Sequence, residues 1–351
     1  MSITRRDFLN GAALTIAASL TPLEILRAAP GVYYPPTLTG LRGSYDAAFK
    51  IAHQMGWEKK VFATDTLPIR EEYDLVVVGG GISGLSAAWF YRQKHPKARI
   101  LILENHDDFG GHAKRNEFNA GGRMIIGYGG SEAFQSPTHL FSDEVNGLMK
   151  SLGVEPKRFE SAFDRNFYPS MGLSRAVFFD KENFGEDKLV TGDPTPMVAD
   201  DLAPNQLNAR AIADFINDFP LPAADRHTLI ELHSNPRDYL AGKTPDDKEA
   251  YLSRTSYQDF LLKDVGLSST AVKYFLSRTN DFSALSTDAV SAYDAYYVGF
   301  PGFSAMHLPP ISEEARAEME EPYIYHFPDG NASVARLLVR SLIPSVAPGN
   351  N

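Results

Sequence analysis

Cysteine is absent from the 351 residues of the chain. Its absence excludes disulfide frameworks, thiolate zinc sites, Fe–S clusters, covalently attached c-type haem and cysteine nucleophiles. The chain also lacks a run of about 18 apolar residues, so no stable membrane span is predicted. Basic residues are the minority, and the formal net charge of −10 argues against nucleic acid as the main partner and mildly favours a cationic one.

The N-terminal 29 residues have the features of an export signal. Arg5–Leu9 (RRDFL) places two arginines directly before the apolar run Gly11–Leu20, which has the length of a signal h-region and is too short to span a bilayer. This order is typical of a twin-arginine signal, so we expect recognition by the Tat export machinery and a periplasmic location. Ala28 and Ala29 suit a cleavage site, although Arg27 beside them leaves its position open. An N-terminal amphipathic helix is the alternative.

The length predicts about two domains, and changes in composition along the chain divide it further. After the signal peptide (1–29) we predict an N-terminal arm, a dinucleotide-binding region, a mainly helical substrate or cap region, and a return strand and helix, at residues 30–70, 71–135, 136–322 and 323–351. The predicted helices outside the dinucleotide-binding region are Asp46–Met55, Leu140–Leu152, Gln206–Asp218, Ala224–His233, Lys248–Arg254, Ser256–Leu262, Thr270–Ser277, Thr287–Val298, the solvated helix Ser312–Glu321, and Ala332–Leu342; a strand is predicted at Tyr323–Phe327.

A βαβ unit is the strongest pattern in the chain. Tyr73–Val78 is an apolar, β-branched run typical of a strand that is buried on both faces. Leu85–His95 is predicted to be a helix with one apolar face that ends near Pro96. Arg99–Leu103 is predicted to be a second buried strand. The whole unit has about 32 residues, which is the expected scale.

Three glycines between the first strand and the helix have the GxGxxG spacing of a dinucleotide fingerprint. Gly79 permits a tight turn, Gly81 leaves room for a pyrophosphate, and Gly84 lets the helix approach the strand closely. Ile82 and Ser83 belong to the first helical turn, whose N–H groups and dipole favour an anion. The pattern predicts an α/β fold: a Rossmann-like FAD/NAD(P)-binding domain with an inserted, mainly helical domain.

The segment after the second strand favours FAD over NAD as the dinucleotide. Glu104 ends that strand, 20 residues after Gly84, where a carboxylate can accept hydrogen bonds from the adenosine ribose. In Asp107–Arg115, paired glycines let the backbone pass close to a cofactor, and a basic residue can help to hold the phosphates. The candidate residues of this segment are Gly110, Gly111, His112 and Arg115.

Glycines continue downstream, at Gly121–Arg123 and Gly127–Glu132. Close approach of the backbone to a flat isoalloxazine ring would account for this density. The candidate residues here are Gly127, Tyr128, Gly129 and Gly130. The alternative is two glycine-rich hairpins without a ligand.

Other potential site residues receive no role. The aromatic residues of the helical region could line an amine pocket, but their helical spacing favours the core; they include Tyr293, Tyr296, Tyr297, Phe300 and Phe303. The histidines, His112, His139 and His326 among them, have no metal-ligand spacing, so no metal site is predicted. Ser83 and Ser131 lack a GxSxG elbow, which disfavours a hydrolase. No catalytic acid or base is predicted.

Several motifs together resemble the spermidine dehydrogenase-like, exported FAD-dependent oxidoreductases of the flavin amine oxidase superfamily. The resemblance runs along essentially the whole chain, and its motifs are Arg5–Gly11, Pro35–Ser44, Tyr73–Leu85, Asp107–Phe118 and His326–Asn331. It implies FAD as the cofactor, oxidation of an amine C–N bond, and a polyamine such as spermidine as the substrate. It also implies FAD contacts at Gly79, Gly81, Gly84, Glu104, Gly110, Gly111 and the Gly127–Gly130 turn.

One departure from the family pattern concerns length. Members of this family continue well past the helix that corresponds to Ala332–Leu342, and the later part supplies a strand near the adenine, part of the substrate sheet and a segment over the flavin. We therefore expect a C-terminally truncated chain whose fold is incomplete at that end.

Three functional hypotheses follow. In the first, the chain is an FAD-dependent amine dehydrogenase, in which a hydride passes from the α-carbon of an unprotonated amine to flavin N5 and then to an unspecified electron acceptor. In the second, it is a catalytically incomplete fragment that binds FAD weakly and needs a complementary C-terminal chain. The third, an NAD-dependent dehydrogenase, fits Glu104 but does not account for Gly110 and Gly111 or for the signal.

Overall fold

The computed structural model describes residues 46–195, 208–235 and 237–346. The predicted signal peptide, the first part of the predicted arm and the last five residues lie outside the described residues. The chain divides into two compact units: the first comprises residues 1–137, 141–159 and 325–351, and the second comprises residues 138–140 and 160–324. Within the described ranges, no helix has both the length and the apolar character needed to cross a bilayer.

The described elements alternate between short strands and helices at first and then become mainly helical. The elements up to residue 162 are α1 (Asp46–Gly56), β1 (Leu75–Val78), α2 (Ile82–Lys94), β2 (Ile100–Leu103), β3 (Arg115–Ala120), β4 (Arg123–Tyr128), α3 (Asp143–Ser151) and α4 (Pro156–Ala162). The following elements are α5 (Phe167–Ser170), β5 (Ala176–Phe179), α6 (Lys181–Phe184), β6 (Lys188–Thr191), α7 (Ile212–Asn217), α8 (Ala223–Ser234), α9 (Pro245–Leu252), α10 (Tyr257–Phe260), a π-turn (Leu261–Val265), a 3₁₀ turn (Ala271–Tyr274), α11 (Asn280–Ser283), α12 (Ala292–Tyr297), α13 (Glu313–Glu320), α14 (Ala332–Leu342) and a 3₁₀ turn (Pro344–Val346).

The predicted βαβ unit is confirmed. Strands β1 and β2 pair in parallel, with a register that runs from Leu75 opposite Ile100 to Val78 opposite Leu103. Helix α2 covers one face of this pair, where Leu85 is buried. The close approach depends on Gly84, because a Cβ at that position would lie 3.1 Å from Cγ1 of Val77.

The opposite face of the β1–β2 pair is exposed. The side chains of Val76, Val78 and Leu103 are 50%, 84% and 49% exposed. Parallel sheets in proteins are normally covered on both faces. The sequence pattern of a strand buried on both faces is therefore only half fulfilled by the described residues.

Strands β3 and β4 form an antiparallel hairpin that the sequence analysis held only as an alternative. The register places Arg115 opposite Tyr128, and Gly121 and Gly122 make the two-residue turn with φ of +59° and +83°. Two successive positive φ values are those of a type I′ turn, which favours glycine. The hairpin thus accounts for the first of the two downstream glycine clusters.

Helix α14 matches the predicted range and packs against α2 in the first unit. Its apolar face, which includes Ala335 and Leu338, is buried, and the indole N–H of Trp89 on α2 donates to Oγ of Ser341 at 3.0 Å. The predicted strand at Tyr323–Phe327 is wrong, since the segment forms no ladder.

Aromatic packing takes the place of strand pairing in that segment. The Tyr325 and Phe327 rings pack around Phe134 and Phe159, with ring centroids 5.1–6.4 Å apart, and the Tyr325 carbonyl accepts a hydrogen bond from the Phe134 N–H at 3.1 Å. The alternating aromatic pattern therefore reflects burial in a cluster.

The second unit is mainly helical, as predicted, around a core rich in aromatic residues. Tyr257, Phe260 and Phe303 belong to that core, and Tyr293, Tyr296 and Phe300 pack against it, which agrees with the core interpretation of these aromatics. Several helices begin at a serine or threonine whose hydroxyl accepts from the amide three residues later; these N-caps are Thr244, Ser256, Ser291 and Ser312.

Three details of the second unit differ from the predictions. The β5–β6 hairpin was not predicted, because two four-residue apolar runs carry too little periodicity to identify strands. The predicted helix Thr270–Ser277 is a single 3₁₀ turn. Glu321, predicted to lie on a solvated helix face, follows α13 and is buried, where it accepts a hydrogen bond from the Thr138 N–H at 3.1 Å.

Candidate dinucleotide-binding site

The turn from β1 into α2 has the geometry that the glycine fingerprint predicts. Gly79 has a φ of +103°, and its N–H donates to the Leu103 carbonyl at 2.7 Å, which ties the turn to the end of β2. A Cβ on Gly84 would lie only 2.0 Å from the Gly79 carbonyl oxygen. Only glycine at position 84 therefore allows α2 to begin this close to the strand.

The N-terminus of α2 has no side chain that caps it. Its N-cap is Gly81, with extended backbone and no side-chain hydrogen bond, and its first turn contains no acidic residue. The first-turn N–H groups of a helix lack intrahelical partners and lie at the positive end of the helix dipole. Ile82 and Ser83 thus begin a helix whose N-terminus suits an anion such as a pyrophosphate.

Glu104 is held against the glycine turn. Its Oε2 accepts a hydrogen bond from the Gly80 N–H at 2.7 Å, and its Oε1 accepts from the N–H and Nδ1 of His106, each at 2.9 Å. Burial by itself would raise the pKa of Glu104, but the hydrogen bonds from His106 and Gly80 together hold that pKa below its usual value. Glu104 is therefore an ionised hydrogen-bond acceptor at neutral pH.

Gly110 and Gly111 lie directly against this turn. The Gly110 N–H donates to the Gly80 carbonyl at 2.8 Å, and a Cβ on Gly111 would lie 3.2 Å from Cα of Gly81. Both glycines have positive φ, +105° and +60°. The structure therefore brings six predicted residues into one cluster: Gly79, Gly81, Gly84, Glu104, Gly110 and Gly111.

The downstream glycines join this cluster through the backbone. The His112 carbonyl accepts from the Gly130 N–H at 3.0 Å, and the Lys114 carbonyl accepts from the Gly129 N–H at 2.8 Å. The His112 side chain is exposed. Gly127 and Tyr128 lie at the end of β4, and the Tyr128 side chain is exposed.

Lys114 is a buried cation that the sequence analysis did not select. Its side chain is almost completely buried in a residue that is 4% exposed, and its Nζ donates to the carbonyls of Asp108 and Phe109 at 2.5 and 3.0 Å. These contacts fix the loop that precedes Gly110. The only signal in the sequence was a lysine shortly after the paired glycines.

Arg115 takes part in an ion-pair network within the first unit. Its guanidinium pairs with Glu117 and lies 3.8 Å from Oδ2 of Asp329, and the same Oδ2 lies 2.9 Å from Nη1 of Arg336 on α14. Ser333 Oγ also donates to Asp329. The predicted phosphate contact of Arg115 remains a prediction, and its observed partners are carboxylates of the protein.

The Pro328–Asn331 turn fastens α14 to the downstream glycine segment. Asn331 Nδ2 donates to Oγ of Ser131 at 2.9 Å and to the carbonyl of Ala133 at 3.0 Å. Gly330 has a φ of +63°, and a Cβ there would lie 2.4 Å from the Ser131 carbonyl oxygen. The turn residues quoted in the family resemblance therefore shape the segment that carries Gly129 and Gly130.

A separate buried polar cluster lies in the second unit. Arg278 donates to Oδ2 of Asp193 at 3.1 Å and to Oγ1 of Thr195 at 3.0 Å. Burial, and secondarily the positive charge of Arg278, lowers the pKa of His233 to about 4. His233 is therefore neutral at pH 7. The sequence gave no local signal for this cluster, because its members lie far apart along the chain.

Comparison with known proteins identifies the first unit as a nucleotide-binding fold. Residues 77–151 match the family described as NAD(P)-binding Rossmann-like domain. The chain is 34% identical over 113 residues to the oxidoreductase PigB of Serratia sp. (strain ATCC 39006), which covers 32% of this chain and 14% of that protein. It is 39% identical over 72 residues to a thiamine thiazole synthase of Eremothecium gossypii, which covers 20% of this chain and 19% of the relative.

Solved structures with a similar fold are more distant. A putrescine oxidase bound to putrescine is 16% identical with a TM-score of 0.34, over 77% of this chain and 49% of that chain. A CLA-producing fatty acid isomerase from P. acnes is 19% identical with a TM-score of 0.30, over 81% and 52%. The chain thus spans about half the length of these structures. The family match and the βαβ geometry together show a Rossmann-like NAD(P)-binding domain, as predicted.

Proposed function

We propose that the chain is an FAD-dependent oxidoreductase. The observation that carries this proposal is the cluster in which the uncapped N-terminus of α2, the Glu104 carboxylate and the Gly110–Gly111 backbone meet. A Cβ would be in steric conflict with the backbone at Gly84, Gly110 and Gly111, so the cluster is built to bring backbone close to a flat or extended ligand. The similarity to PigB, described as an oxidoreductase, supports the same class.

The residues of the cluster suit the adenosine diphosphate part of such a cofactor. The amides that begin α2 at Ile82 and Ser83 would hold the pyrophosphate, and Glu104 would accept a hydrogen bond from the adenosine ribose. The Gly110–Gly111 backbone, continued by Gly129 and Gly130, favours FAD over NAD because it extends the glycine-lined surface beyond the adenosine half. When bound, FAD supplies the acceptor for a hydride from the carbon beside an amine nitrogen.

The substrate that we propose is an amine, and within that class a polyamine such as spermidine. The supporting observations are the sequence motifs shared with the spermidine dehydrogenase-like oxidoreductases and the net charge of −10, which favours the approach of a polycation. The Arg5–Leu9 motif supports twin-arginine export to the periplasm as part of the same proposal.

The test begins with the purified chain and its visible spectrum. We expect a flavin absorption band after incubation with FAD, tighter binding of FAD than of NAD, and bleaching of the band when spermidine is added without oxygen. A Gly81→Leu variant is the matched control, because its side chain would block the pyrophosphate position while lying outside any proposed amine contact. A colourless protein that binds NAD but not FAD would refute the proposal.

A second candidate function rests on the exposed face of the β1–β2 pair. Val76, Val78 and Leu103 present apolar surface where parallel sheets are normally covered. We propose as the alternative that this chain binds FAD weakly by itself and that a complementary chain completes the fold on that face. An open reading frame directly downstream and an FAD affinity that rises at least tenfold when its product is added would support this. An FAD affinity of the single chain in the nanomolar range would contradict it.

A further inference from the structure

We propose that His106 is a positioning residue that fixes Glu104 for recognition of the adenosine ribose. This inference rests on the proposed dinucleotide function and adds to it a residue outside the glycine fingerprint. His106 occupies one oxygen of the Glu104 carboxylate and directs the other towards the glycine turn.

The hydrogen bonds around the carboxylate are unequal. An ionised carboxylate offers about four acceptor positions on its two oxygens. Oε1 receives two donors, the backbone N–H and Nδ1 of His106, whereas Oε2 receives the Gly80 N–H. The acceptor position that remains is therefore on Oε2, the oxygen beside the glycine turn.

The location of the pair allows this role. The side chains of His106 and Glu104 are 31% and 19% exposed, so the pair borders solvent and a ligand can reach it. Gly80 completes the arrangement, because a Cβ on that glycine would lie 3.1 Å from Oε2. The carboxylate is thus held from one side by His106 and meets the backbone of the turn on the other.

Loss of the His106 ring removes one of the two donors to Oε1 and leaves the carboxylate freer to rotate. A rotated carboxylate has to be reoriented when a ribose binds, which weakens binding. Asparagine can place an amide N–H near the position of Nδ1. His106→Asn should therefore retain the function that His106→Ala loses.

The binding test uses ADP and 2′,3′-dideoxy-ADP as probes, since neither needs a flavin site. We expect His106→Ala to weaken ADP binding about 5- to 10-fold, the range expected for one hydrogen bond to a charged group, and to leave 2′,3′-dideoxy-ADP binding unchanged. His106→Asn should bind ADP within about twofold of the unmodified chain. The matched control is His95→Ala, which removes an exposed histidine at the end of α2.

A double-mutant cycle separates positioning from independent binding. If His106 acts through Glu104, Glu104→Ala and the double variant Glu104→Ala/His106→Ala bind ADP equally well. A further loss in the double variant, equal to that of His106→Ala alone, would overturn the proposal. An equal loss for both nucleotides would also overturn it, because the effect would then not pass through the ribose hydroxyls.

A second measurement needs no ligand. In protein labelled with ¹³C at glutamate carboxyls, His106→Ala should raise the titration midpoint of Glu104 and speed hydrogen exchange of the Gly80 amide, whereas His106→Asn should change both less. Unchanged values in His106→Ala refute the inference. If the unmodified chain does not bind ADP, the dinucleotide function fails while these two signals still decide whether His106 holds Glu104.

Discussion

Substitution of Gly84 by alanine tests the structural core of the site. Alanine in place of glycine within a helix normally stabilises a protein by about 0.5–1 kcal/mol. At Gly84 the added Cβ would lie 2.0 Å from the Gly79 carbonyl oxygen, about 1 Å closer than the 3.0 Å below which Cβ contacts essentially never occur. The clash is with backbone, so it cannot be relieved by a rotamer change.

The size of the effect follows from two opposing terms. Overpacking of a well-packed site costs about 1–3 kcal/mol, and a backbone clash places Gly84→Ala at the upper end of that range. Subtracting about 1 kcal/mol of helix propensity leaves a net loss of about 2 kcal/mol in the free energy of unfolding of the first unit. Binding of ADP should weaken as well, since α2 must move away from the turn.

The matched control is Gly147→Ala, because Gly147 also lies within a helix of the first unit, α3, and has no atom within 4 Å of a Cβ. It should stabilise the unit by about 0.5–1 kcal/mol. The assay is urea unfolding followed by tryptophan fluorescence in a Trp57→Phe background. Trp57 is 75% exposed, and Trp89 on α2 is then the single reporter of the two tryptophans. If Gly84→Ala is as stable as Gly147→Ala, the reasoning is refuted.

Three further predictions concern other parts of the molecule. Gly80→Ala adds a methyl group 3.1 Å from the Glu104 carboxylate and should weaken ADP binding about fivefold, measured by calorimetry; unchanged binding would show that Glu104 can move without cost. Asp329→Asn leaves its two arginine partners without a carboxylate in a largely buried network and should lower the stability of the first unit by about 3 kcal/mol in the same urea assay, whereas a loss below 1 kcal/mol would contradict that assignment. His233, whose pKa falls to about 4, takes up its proton in the unfolded chain near pH 6.5, so the stability of the second unit should fall by about 2 kcal/mol between pH 7 and pH 5. Hydrogen exchange along α8 measures this fall, which His233→Asn should abolish; a pH dependence that survives the substitution has another source.

The predictable parts of the fold are those in which neighbouring residues along the chain determine the conformation. The strand–glycine turn–helix run from Leu75 to Lys94 and the helix Ala332–Leu342 were identified because their hydrophobic periodicity and their glycines act locally. The β5–β6 hairpin was missed because its strands have four residues each. The strand predicted at Tyr323–Phe327 was wrong because alternating aromatics also suit a buried aromatic cluster.

The candidate site shows the same division. Glu104 and the paired glycines were found from their spacing after the fingerprint. Lys114 was missed, since a lysine carries no sequence signal that distinguishes a buried donor from a solvated one. The contact of His106 with Glu104 also became visible only when the hydrogen bonds around the carboxylate were known.

The sequence by itself determined that a dinucleotide fingerprint stands between a strand and a helix, because glycine at positive φ and close helix–strand approach are local requirements. Only the tertiary structure decided which distant groups meet. Asn331 reaches Ser131 across 200 residues, and Arg278 reaches Asp193 across 85. Such contacts depend on how helices and loops pack after the chain has folded back, and no spacing along the sequence encodes them. The exposed face of β1 and β2 is of the same kind, because burial depends on what the rest of the fold places there.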